Sequence, residues 1–87
     1  MNRLSEPDEE LLSYSMGQFI KVIESPNFVG HYYNMYHDIL FGLFLHGLQW
    51  DQKVELHEMI IGRLYNYFNA RDSPLRIKVL EINFYDK

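Results

Sequence analysis

The residues of this chain with the widest chemical reach are its four histidines and its carboxylates. The run His57-Glu58-Met59-Ile60-Ile61 opens like the helix of a zinc protease. That motif needs a second imidazole four residues after the first, so that both share one helix face. Ile61 stands there instead, and zinc-protease chemistry is dropped. His57 is expected at a helix–helix contact with one ring nitrogen hydrogen-bonded.

His31, Asn34, Asp38 and His46 follow one another at steps that keep them on one side of a helix. Histidine and carboxylate can ligate zinc or a similar metal, but ligands must converge on one point. His31 and Asp38 are two turns apart, too far to share an ion without help from another helix. The Glu-x-x-His pair of di-iron bundles is absent. No metal site and no cofactor are expected, and a polar helix edge accounts for these residues. A metal- or ligand-binding helical protein using His31, Asp38, His46 or His57 is the weakest reading.

Nucleophilic and phosphate chemistry find no foothold. The chain has no cysteine, no glycine-rich phosphate loop and no nucleophile elbow. Its carboxylates fall mainly on faces expected to meet water. No catalytic residue can be named, and the chain is read as non-enzymatic.

Tyr32, Tyr33, Tyr36 and His37 form the densest aromatic group. Tyrosine suits interfaces because it offers a large apolar area and a hydroxyl at low entropic cost. These four are the expected partner-binding residues. On a helix Tyr32 and Tyr36 share one face, and Tyr33 and His37 the adjoining one, so at least one pair is expected at an interface. They lie in a segment, 26–50, with one formal charge (Asp38) and half of the chain's aromatics. Ordinary sequence is roughly a quarter charged, so this segment is built for packing.

Four helices would position these groups. Ser5, Ser25 and Ser73 each stand just before a proline, at Pro7, Pro26 and Pro74. A serine oxygen can accept from an orphan N–H at a helix start, and proline suits the first turn because it has no N–H to lose. Asp51 is a fourth candidate cap. The expected helices are 6–24, 27–46, 52–69 and 75–85. In the first, Leu11, Leu12, Met16, Phe19, Ile20, Val22 and Ile23 gather on one side. The second is apolar around most of its circumference, with a polar line through Asn27, His31, Asn34, Asp38, Gly42 and His46. Gly42 would allow another helix to approach closely, and Gly47 would end the helix in a left-handed conformation. The third buries Val54, Leu56, Ile60, Ile61, Leu64, Tyr65, Tyr67 and Phe68. The last is ambiguous, because Ile77, Val79, Ile82 and Phe84 favour strands. A helix is preferred there, since a lone strand leaves backbone groups unpaired.

Size and charge bound the rest. Eighty-seven residues suit one domain, 1–87. The net charge of −4 arises wholly before Asp51, with two basic residues (Arg3, Lys21) against six acidic ones. There is no basic stripe to neutralise phosphates, so nucleic acid is not an expected partner. A membrane span needs about 20 apolar residues, and the run 39–45 is far shorter. Acids at Glu6, Asp8, Glu9 and Glu10 argue against a secretory leader, and the cytoplasm is the expected compartment.

The fold expected is therefore all-α, a small four-helix antiparallel bundle with the second helix at its centre and 75–85 as an alternative strand. The expected function is that of a non-enzymatic protein-binding domain, a regulator, inhibitor or adaptor acting through an aromatic-rich helix. A homodimer through the second helix, with the last segment as a further contact, is expected as well, because so short a chain has little else to cover that helix. An obligate homo-oligomeric structural subunit is the alternative.

Overall fold

The computed structural model of the chain describes residues 5–44 and 48–82. Among them the chain is all-α: α1 (Glu6–Glu24), α2 (Tyr32–Ile39), a 3₁₀ turn (Phe41–Phe44), α3 (Trp50–Ala70) and α4 (Leu75–Leu80). None of the described helices is long and apolar enough to cross a membrane.

Helix α1 begins as its sequence dictates. The Asp8 N–H donates to Ser5 Oγ at 3.3 Å, Pro7 occupies the first turn, and Glu6, Asp8 and Glu9 face the positive end of the dipole. Its buried residues are Leu12, Ser15, Phe19, Ile20 and Ile23. The face is narrower than expected, since Leu11 is 41 % exposed.

Helix α2 departs most from expectation. It covers eight residues rather than 27–46. Ser25 and Pro26 do not start it. Ser25 ends α1, and its Oγ accepts from the Asn27 N–H at 3.3 Å. Gly30 then takes φ +148°, outside helical space, and postpones the helix to Tyr32. At the other end the chain tightens into the 3₁₀ turn, where the Leu43 N–H donates to the Leu40 carbonyl at 3.1 Å. The polar line is thereby broken. Asn34 and Asp38 remain on α2, while His46 and Gly47 lie outside the described residues. Tyr36, Leu40 and Phe41 are buried within the chain itself, so much of this apolar segment finds its cover at home.

Helix α3 starts at Trp50, two residues before the expected start. The Gln49 N–H donates to Gln52 Oε1 at 2.8 Å, and Asp51 sits inside the first turn. The buried line is Leu56, Ile60, Leu64 and Phe68, at a step of four residues. Its end is a Schellman motif. Ser73 N–H donates to the Phe68 carbonyl (2.9 Å) and Asp72 N–H to that of Asn69 (3.0 Å). Asp72 holds the left-handed conformation at φ 53°. Pro74 follows, Ser73 Oγ accepts from the Leu75 N–H (3.2 Å), and α4 begins. The helical reading of the last segment holds for Leu75–Leu80; Glu81 and Ile82 lie beyond the helix, and 83–85 falls outside the described residues.

Helix α1 packs on α2 and α3 on α4. Glu9, early in α1, meets Arg63, in the second half of α3. Phe19, later in α1, reaches His57, in the first half of α3, through the Tyr36 ring. The two long helices therefore run antiparallel. One cluster of buried side chains joins all four helices, with Val79 and Ile82 contributed from the last segment.

Candidate functional site

Tyr36 is the point where most of the elements meet. Its ring is fully buried. It lies edge-on to Phe19 of α1 at 6.3 Å, stacks on Phe41 of the 3₁₀ turn at 5.7 Å, and meets His57 of α3 edge-on at 5.5 Å. Edge and offset contacts of this kind set the electron-poor rim of one ring against the electron-rich face of the next.

The hydroxyl of Tyr36 lies 2.9 Å from His57 Nδ1. Burial, and to a lesser degree Tyr33, push the Tyr36 hydroxyl well above the usual tyrosine range, so it stays protonated. An enclosed O–H needs an acceptor, and Nδ1 of neutral His57 is placed to accept. The imidazole proton then sits on Nε2. Burial lowers the His57 pKa, with Glu58 opposing it. His57 thus stands at a helix contact with its Nδ1 bonded.

The four expected partner-binding residues divide between two environments. Tyr36 is placed differently from expectation. The aromatic cluster encloses it, so it cannot itself present surface to a partner. Tyr32, Tyr33 and His37 are half-buried and border solvent. Tyr33 and His37 pair at 5.9 Å, His37 leans on Phe41 at 6.2 Å, and Tyr32 packs on Phe28 at 5.1 Å. The three therefore have fixed ring neighbours. Tyr36 and His37 both rest on Phe41, which links the buried ring to the half-buried ones.

Before and after these rings in the chain, the segment keeps apolar side chains in water. Val29, just before α2, is 90 % exposed, and Leu43, in the 3₁₀ turn, is 45 % exposed. Sequence reasoning missed these two, because an uninterrupted helix 27–46 would have distributed them differently. Of the histidines considered as ligands, His31 is exposed at the start of α2 and His57 is engaged with Tyr36. Among the described residues no group of three or more histidine or acidic side chains is placed to hold a metal ion.

No family model, curated protein or solved structure matches this chain significantly.

Proposed function

We propose that the protein is a small non-enzymatic protein-binding domain that meets its partner through α2 and its flanks. The observation that carries this reading is the half-exposed ring surface of Tyr32, Tyr33 and His37, bracketed by exposed Val29 and Leu43. Aromatic rings already held by neighbours lose little freedom on binding, and apolar area in water is released when a partner covers it. Tyr36 acts behind that surface by holding Phe41, against which His37 rests. The partner's contact surface would be apolar and accept a hydrogen bond from a tyrosine hydroxyl.

The test is a comparison of wild type with Tyr33→Ala/His37→Ala in partner capture from the native host. Circular dichroism first establishes that the variant folds. Capture of a defined protein by wild type and its loss in the variant support the reading. Equal capture by both, or none by either, overturns it.

A further inference from the structure

The outward side of α1 carries a second line, apolar at Pro7, Leu11 and Tyr14 and amphipathic at Gln18, apart from the buried one. Pro7, Leu11, Tyr14 and Gln18 recur at steps of four, three and four residues, the spacing of a seam between two helices. Tyr14 is 66 % exposed and Leu11 41 %. Tyr14 points away from the buried line through Leu12, Phe19 and Ile23. Exposed Glu10, Gly17 and Lys21 run beside it. Gly17 has open space where a Cβ would stand, although glycine inside a helix costs about 1 kcal/mol against alanine. Gly17 stands three residues after Tyr14, a neighbouring position on the helix surface, and the open space there leaves room for a ring from outside.

Charge selects the occupant and its direction. Glu6, Asp8, Glu9 and Glu10 crowd the start of α1, whereas its end carries Lys21 together with Glu24 and is near neutral. A parallel copy of α1 would set acid against acid. An antiparallel copy brings Glu10 alongside the opposite Lys21, and opposes the helix dipoles favourably. The face is complementary to itself, as a two-fold contact requires.

We propose that this face of α1 seats a second copy of the chain, packed antiparallel about a two-fold axis between Tyr14 and Gly17. Each Tyr14 ring lies beside its counterpart, over the space at the opposite Gly17. Leu11 covers the aliphatic stem of the opposite Gln18, and the two Glu10–Lys21 pairs close one edge. One helix per copy offers less than the roughly 800 Å² per partner of a standard interface, so the dimer forms reversibly and depends on concentration. This inference concerns a different surface from α2 and stands or falls without it.

Sedimentation of the full chain across a concentration series is the test. Wild type shows a monomer–dimer equilibrium. Tyr14→Glu weakens it at least about tenfold, equivalent to about 1.4 kcal/mol. Lys21→Glu weakens it too, and Glu10→Lys/Lys21→Glu restores it. Because Tyr14 is exposed, these variants keep the wild-type circular dichroism. In a chain without cysteine, Tyr14→Cys also links two copies through a single symmetric disulfide under mild oxidation. A wild-type monomer at every concentration overturns the proposal and leaves the face to another occupant. So does a dimer that survives Tyr14→Glu but is lost in Ile77→Glu, which alters the exposed side of α4.

Discussion

A Cβ placed on Gly42 would stand 2.7 Å from the carbonyl oxygen of His37. The glycine is therefore required by the chain's own backbone, where α2 passes into the 3₁₀ turn. The close approach is local and does not involve a neighbouring helix. Gly62, exposed in the interior of α3, has nothing within 4 Å of the corresponding position. Gly42→Ala should cost about 1–3 kcal/mol, because backbone must shift to admit it. Gly62→Ala should stabilise by roughly 0.5–1 kcal/mol. Urea denaturation of both variants measures the contrast, and equal effects would refute this account of Gly42.

Acid should destabilise the fold through His57. Its pKa is lowered in the folded chain by burial, so the unfolded chain binds the proton more readily. The contribution of neutral His57 is complete above the unfolded value of about 6.5 and declines as pH falls below it. His57→Gln, which can still accept from the Tyr36 hydroxyl, should flatten that part of the stability profile. Melting temperatures of the two proteins between neutral and mildly acidic pH provide the comparison, and parallel curves would exclude His57 as the source.

Leu64 is fully buried in the line that joins α3 to the rest of the core. Truncation to alanine should cost about 2–5 kcal/mol. A domain of this size has a net stability of only about 5–15 kcal/mol, so the loss should be plain as a reduced denaturation midpoint. An unchanged midpoint would contradict the packing described for α3.

The two terminal guanidinium nitrogens of Arg63 donate to the two oxygens of Glu9, at 3.1 and 3.2 Å. The side chains are 38 % and 37 % exposed, so water weakens the pair despite its forked geometry. A double-mutant cycle should return about 0.2–1 kcal/mol, shrinking as salt is added. A coupling well above that range would mean the pair is less hydrated than its exposure indicates.

The two long helices were legible in sequence because their signals are local. Ser5, Pro7 and the early acids define the start of α1, and a four-residue apolar step marks α3. The short helix was not legible from the same rules. Ser25-Pro26 resembles Ser5-Glu6-Pro7, yet the Ser25 side chain supports a turn that closes α1. Gly30 and Gly42 both fit a helical pattern on paper, and only their backbone surroundings reveal a break at each. The end of α3 was placed within one residue, at 69 against Ala70, but the motif that closes it was not read. An aspartate at 72 takes the left-handed position that glycine or asparagine usually fills. In the candidate site the aromatic group was visible but its division was not. Helical spacing relates Tyr36 to Tyr32 and Tyr33, whereas its enclosure depends on Phe19 and His57, which are distant in sequence.

The bond between Tyr36 and His57 also governs which arrangement of α2 is chosen. Leucine and phenylalanine accept many neighbours at similar energy, so a short apolar helix could settle at several rotations against α1 and α3. A step of one residue turns a helix by about 100°. It would bring Met35 or His37 to the place of Tyr36 and leave a hydroxyl elsewhere without its acceptor. The penalty for an unmet buried hydroxyl is about 1–3 kcal/mol. The hydrogen bond thus works as an index pin, adding little to the strength of the fold while rejecting the neighbouring settings of α2.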